Sequence, residues 1–119
     1  MVYRPRGILD EAEVNRVIGF LETEEDRAEK PFNRFTDNSK LDAVNLEFDF
    51  IFRVSLHRRL IYAQRPPVKS AIYVNSPAIA RVAKIHAILT DRSPLQVKLF
   101  EDFEGAAKWL GVTVETLKY

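Results

Sequence analysis

Two histidines, His57 and His86, are the chain's only imidazoles for acid–base or metal chemistry. A zinc site would need both, plus carboxylates brought to them by the fold. His57 lies in a basic stretch with no histidine or carboxylate at ligand spacing, so no metal site is expected. The absence of cysteine excludes disulfides, thiolate zinc sites and cysteine nucleophiles together. A serine nucleophile needs a sharp turn and a converging histidine and acid. Ser39, Ser70, Ser76 and Ser93 read more simply as turn or cap residues. The four glycines, Gly7, Gly19, Gly105 and Gly111, are too scattered for a phosphate-binding loop. No catalytic residue and no cofactor is therefore expected. An enzyme built on His57 or His86 is the weakest of three functional readings.

These residues must be positioned by a single domain, since 119 residues is near the commonest domain size. Apolar residues are 46% of the chain, enough for a core. No apolar run approaches a membrane span, and the N-terminal Met1-Val-Tyr-Arg-Pro-Arg lacks a signal-peptide core, which with the absence of cysteine favours a cytoplasmic location. The net charge of +1 gives no general attraction to nucleic acid. The distribution is uneven. Acidic residues concentrate between Asp10 and Glu29, while Arg53, Arg58, Arg59, Arg65 and Lys69 form a basic run. That pattern fits two solvated faces, a basic patch for an anionic partner, or complementary faces meeting in an oligomer.

The pattern along the chain is one of β-α units. Tyr3 to Leu9 reads as a first strand with Pro5 at its edge. Asp10 caps a helix whose apolar period runs through Val14, Val17, Ile18 and Leu21 and which Pro31 stops. Phe32 to Thr36 reads as a second strand anchored by Phe32 and Phe35, followed by the turn Asp37-Asn38-Ser39. Leu46 to Leu56 alternates like a strand, but the run continues unbroken to Gln64, which is too long for one. It reads as a helix capped by Asn45 and ended by Pro66-Pro67, apolar on more than one side. Val68 to Val74 and Leu95 to Phe100 are strands flanking a helix that starts at Ser76-Pro77 and runs to Leu89. Two strands joined through a helix must be parallel. A last helix, Phe103 to Leu110, stops at Gly111. Trp109 in it is expected to be substantially buried near Phe100.

The order of elements, the Asn75-Ser76-Pro77 helix start, and the ending Val97-Lys-Leu-Phe100-Glu-Asp-Phe-Glu-Gly-Ala-Ala-Lys-Trp109-Leu110-Gly111-Val112 together resemble the SpoIIAA-like branch of the STAS superfamily. The similarity is best from Arg58 to Val112. It implies a bacterial α/β domain over residues 1–119: a superhelix of β-α units with a four- to five-stranded, mostly parallel sheet and about four helices. Antagonists of anti-sigma factors in that superfamily carry Asp-Ser-x-Gly at the start of the second helix, the serine accepting phosphate. Here the stretch is Asp42-Ala43-Val44-Asn45, which keeps the aspartate alone, and a shifted match leaves Ser39 as a weak phospho-acceptor candidate. Asp37 is similar in position to the phospho-accepting aspartate of response-regulator receivers, but Asp10-Glu11 and Lys98 are poor stand-ins for the rest of that site.

The leading expectation is a non-enzymatic interaction module that binds another protein or a copy of itself as a homodimer. Phe48, Phe52 and Leu56 on the second helix are the candidate interface, because a helix hides only one broad face against its sheet. The alternative is a carrier or sensor of a small apolar, lipid-like ligand held between that helix and the sheet. It rests on the CRAL-TRIO lipid carriers of the same fold group.

Overall fold

The β-α alternation builds a layered α/β structure. The computed structural model describes residues 1–28 and 30–118, so Glu29 at the end of the acidic run lies outside it. In chain order the elements are β1 (Val2–Tyr3), β2 (Gly7–Asp10), α1 (Glu11–Arg27), β3 (Arg34–Asp37), β4 (Leu41–Asn45), α2 (Phe48–Tyr62), β5 (Val68–Tyr73), α3 (Pro77–Leu89), β6 (Leu95–Phe100), α4 (Phe103–Leu110) and α5 (Val114–Lys118). A four-stranded sheet has the order β1-β3-β5-β6, and β2 pairs with β4 in a separate ribbon. Every pairing is parallel. Among the described residues, no helix is long and apolar enough to cross a membrane.

Local signals set most helix ends. The Asp10 side chain accepts the Glu13 N–H at 2.9 Å, and Ser76 accepts that of Ile79 at 3.3 Å, with Pro77 in the first turn. Asp102 accepts the Gly105 N–H at 2.6 Å, and α4 closes on Gly111 at φ 74°, where a side chain would be strained. The run read as a helix over Leu46 to Gln64 is helical from Phe48 to Tyr62.

Other expectations need correction. The first strand is two pieces in two sheets: the buried Pro5 and Gly7 at φ 72° turn the chain from one to the other. Asn45 does not cap α2. It ends β4, a strand that carries no clear alternation, and Glu47 precedes the helix without a side-chain capping bond. The second strand starts at Arg34. Phe35 anchors it at 1% exposure, whereas Phe32 lies outside the strand beneath the Arg34 guanidinium, 5.1 Å from ring centroid to carbon. Among the described residues five helices form where about four were expected, the addition being the five-residue α5.

The period of two along each strand divides the sheet into two faces. On one face Phe35, Ala71 and Tyr73 meet α4, with Phe103 edge-on to Phe35 at 5.2 Å and to Tyr73 at 4.9 Å. Ala106 and Ala107, both buried, let α4 approach closely. The other face, carrying Arg34, Ser70 and Ile72, turns toward α1, α2 and α3.

Trp109 is half-buried rather than enclosed. Its ring lies 5.7 Å from that of Phe100, with the Lys69 and Lys98 ammonium groups at 5.3 and 6.0 Å from its centroid. Part of its apolar area is covered by lysine stems. Trp109→Ala should therefore cost about 2 kcal/mol, below the roughly 3–5 kcal/mol of a fully buried aromatic. A urea midpoint measurement checks it, and an unchanged midpoint would contradict the packing described.

Candidate functional site: a cavity beneath the first three helices

Because α1, α2 and α3 cover the same face of the sheet without filling it, a cavity of about 210 Å³ remains between them. Its walls are mostly apolar: Val14, Val17, Ile18 and Leu21 come from α1, and Phe50, Ile51 and Val54 from α2. Arg34, Ser70 and Leu95 form part of its sheet-side floor. The same apolar period that made α1 legible as a helix aims its residues into this space.

One end of the cavity is charged. Arg34 and Arg58 both line it, and each side chain is 4% exposed. They converge on Glu25, whose Oε1 accepts from Arg34 Nη1 at 2.8 Å and from Arg58 Nη2 at 3.1 Å. The buried Tyr62 hydroxyl donates to the same oxygen and accepts from Arg34 at 2.7 Å and Arg58 at 2.9 Å. Arg65 closes the cluster from the rim with a 2.9 Å bond to Glu25 Oε2. The guanidinium carbons of Arg34, Arg58 and Arg65 stand 4.9–5.7 Å from the Tyr62 ring centroid, within cation–π range. Burial by itself raises the Glu25 carboxyl, but the Tyr62 hydroxyl and the Arg58 and Arg34 cations reverse this and hold it below its ordinary value.

This cluster accounts for part of the charge asymmetry of the sequence. The acidic end of α1, through Glu22, Glu25 and Asp26, meets His57, Arg58 and Arg65 within one chain. Arg58 and Arg65 of the basic run are thus paired within the chain, whereas Arg53, Arg59 and Lys69 have no acidic partner among the described residues.

Beside the cluster, Ser55 on α2 and His86 on α3 also line the cavity, with Ser55 Oγ 2.8 Å from His86 Nδ1. The chain matches no family model and no curated protein at the sequence level. Among solved structures, it is similar to the crystal structure of an uncharacterized protein from the DUF3478 family with a SpoIIAA-like fold, from Shewanella loihica PV-4. The similarity has a TM-score of 0.56 and covers 92% of this chain and 82% of that one, at 19% identity. This chain has a SpoIIAA-like fold.

In this SpoIIAA-like fold, the segment expected to align with the Asp-Ser-x-Gly motif, Asp42 to Asn45, is strand β4 and not the start of a helix. Ser39 sits half-buried in the preceding turn, its backbone N–H donating to Asp37 Oδ1 at 2.9 Å. Asp37 is itself buried and paired with Arg4 at 3.1 Å, a turn and ion-pair role. Ser76 caps α3 and Ser93 bonds across its turn to the Thr90 carbonyl at 2.6 Å, but Ser70 is neither cap nor turn: it is buried in β5, facing the cavity. Phe48, Phe52 and Leu56 lie along one line of α2 at i, i+4 spacing and are 58%, 39% and 37% exposed, with Leu60 continuing the line at 75%. They face away from the cavity, so the two candidate surfaces of α2 are separate.

Sequence reasoning missed the cavity's polar residues. Ser55 lies mid-helix in an apolar run, and its partner is 31 residues away. The one available signal was composition: charged Arg34 between Phe32 and Phe35, and Arg58 on a helix apolar all round.

The described bonds of the Ser55–His86 pair do not complete a serine triad. No carboxylate orients the imidazole among its described bonds, and the neighbouring charge is the Arg58 cation. Burial, reinforced by Arg58, pushes His86 down to about 4, so it is neutral near pH 7 and a weak base. This has a consequence for stability. As pH falls, the unfolded chain binds the proton at the ordinary value of 6.5, before the folded chain does. The contribution is present above 6.5 and is lost as pH falls from there to about 4. At about 1.36 kcal/mol per unit it amounts to ~3 kcal/mol. Urea unfolding across that window should show wild-type stability falling with acid, and His86→Gln should flatten the fall. Parallel curves would mean that His86 is solvated.

Proposed function

We propose that the chain is a non-enzymatic binding module that carries or senses a small apolar ligand in the cavity beneath α1–α3. The observation that carries this reading is a mostly apolar cavity of about 210 Å³ with charged groups gathered at one end. An apolar space with few, placed polar groups is the usual form of a small-molecule site. For scale, an apolar cavity of about 150 Å³ takes up benzene, so this one suits a ligand of on the order of eight to ten non-hydrogen atoms. Catalysis is disfavoured by the chemistry of the polar residues: the imidazole is a poor base, and the Ser55 hydroxyl is wholly buried in a helix interior. Native mass spectrometry of gently purified protein tests the reading. A retained small molecule, released on denaturation, is the expected result. A bare chain that also shows no saturable uptake of an eight-carbon ligand would overturn it.

A second reading, self-association, is favoured by the exposed line Phe48–Phe52–Leu56–Leu60. An apolar strip of this kind marks an interaction surface more often than a solvated one. A two-fold axis crossing α2 near Val54 would set two copies antiparallel. Phe52 would then meet Leu56 of the second copy, and Asp49 would meet Arg59. Sedimentation at micromolar concentration should give a dimer for the wild type and a folded monomer for Phe52→Glu, since a buried carboxylate at the contact would have no partner. A wild-type monomer at that concentration would remove this reading and leave the cavity reading in place.

A further inference from the structure

Resting on the cavity as a ligand site, we infer that its charged end selects an amphipathic carboxylate: a short-chain or medium-chain acid whose tail fills the apolar part and whose carboxylate is held by Arg34 and Arg58. The cluster around Glu25 leaves the two arginines incompletely used. Arg34 Nε and Arg58 Nη1 are buried and have no hydrogen-bond partner among the described residues, although their other nitrogens are bonded. The nearest additional acid, Glu22 Oε1, stands 3.7 Å from Arg58 Nη1, beyond hydrogen-bond reach, and its side chain is 33% exposed. Buried donors on a cation are seldom left unpaired, because the lost hydration is costly.

Charge points the same way. Two guanidinium groups at 4% exposure share a single buried carboxylate oxygen, Glu25 Oε1. Glu25's second oxygen is taken by Arg65. Glu22 and Asp26 complete the charge count from outside the cavity, with side chains 33% and 70% exposed, so the buried end sets two guanidinium groups against one buried carboxylate and offers donors from two different side chains. A carboxylate brings one negative charge, two acceptor oxygens and no donor, which matches both counts. A phosphate monoester brings nearly two charges and three oxygens, more than this end can neutralise. Ordinarily an anion loses affinity to its own desolvation on entering an apolar site. Here the protein's half of that cost is already met on folding, because the arginines are held desolvated and oriented by Glu25 and Tyr62.

The size estimate above makes octanoate a suitable probe, with 1-octanol as its uncharged counterpart of equal chain length. Calorimetric titration of the full chain should show octanoate binding with one-to-one stoichiometry and at least about tenfold more tightly than 1-octanol. Octanoate should also displace the ring resonances of His86, which lines the same cavity and feels the Arg58 charge. Arg34→Lys keeps a cation for Glu25 but removes the Nε donor. It should reduce the acid-over-alcohol preference about tenfold. Equal affinity for acid and alcohol in the wild type would overturn this inference and leave the cavity reading intact. Binding of neither would overturn the cavity reading itself. Tighter binding of octyl phosphate would overturn the carboxylate assignment. If Arg34→Lys fails to fold, the wild-type comparison of acid with alcohol still decides.

Discussion

Glu25→Ala should destabilise the chain by about 3–5 kcal/mol, the cost of removing one member of a buried ion cluster and leaving the others uncompensated. Arg34 and Arg58 would keep their burial and lose their shared acceptor, and the Tyr62 hydroxyl would lose the oxygen to which it donates. Since a domain of this size has roughly 5–15 kcal/mol in total, the variant should be partly unfolded at 37 °C. Glu25→Gln should lie between, because the amide still accepts hydrogen bonds without carrying the charge. The wild type should also show the corresponding acid sensitivity. The Glu25 carboxyl is held below its ordinary value in the folded chain, so its contribution is complete above 4.5 and is lost as pH falls through the depressed value. That window lies below most of the His86 window, so a stability profile should fall in two stages. Guanidinium unfolding of both variants checks the magnitude. A loss under about 1 kcal/mol for Glu25→Ala would mean that the cluster is solvated and contributes as surface pairs do.

Phe35→Ala should cost a similar ~3–5 kcal/mol by a different mechanism. Phe35 is 1% exposed in β3 and paired with Ala71 of β5, and it sits edge-on to Phe103. Its fully buried neighbours Ala71 and Ala106 are too small to fill the space left behind. The loss should be largely insensitive to pH, unlike that of Glu25→Ala. A midpoint shift well below that of Trp109→Ala would contradict the placement of the core between the sheet and α4.

Several helix boundaries were legible because their causes are local. Asp10, Ser76-Pro77 and Gly111 each act within four residues of the ends that they set. Helix α2 was harder. The stretch from Leu46 to Leu56 alternates as a strand would, yet its unbroken length and the absence of a turn before Pro66 decide for a helix. The same stretch explains the two surfaces of α2, since alternation wound on a helix spreads apolar residues around it. Phe50, Ile51 and Val54 go to the cavity, and Phe48, Phe52 and Leu56 go outside.

The β2–β4 ribbon and the split of the first strand had no local signature. Leu41–Asn45 becomes a strand by pairing with Gly7–Asp10, across more than thirty residues of chain. The polar end of the cavity is the extreme case. Glu25 bonds Arg34, Tyr62, Arg58 and Arg65 across separations of 9, 37, 33 and 40 residues. In the sequence these charges look like ordinary solvated ones, which is what most charges are.

A resemblance in the Val97–Val112 ending pointed to the SpoIIAA-like fold, while the sequence by itself determined the β-α order, the parallel sense of the central strands and the excess of apolar surface on α2. Each follows from periodicity, from capping within a turn, or from the length that a crossover needs, and these act between near neighbours. Only the tertiary structure decided which charges are buried, which serine meets the histidine, and that α1, α2 and α3 leave a cavity between them. Those outcomes depend on how far helices stand from a sheet face and on which strand neighbours which. They are set by the summed packing of residues distant in the chain, and no local pattern encodes that sum.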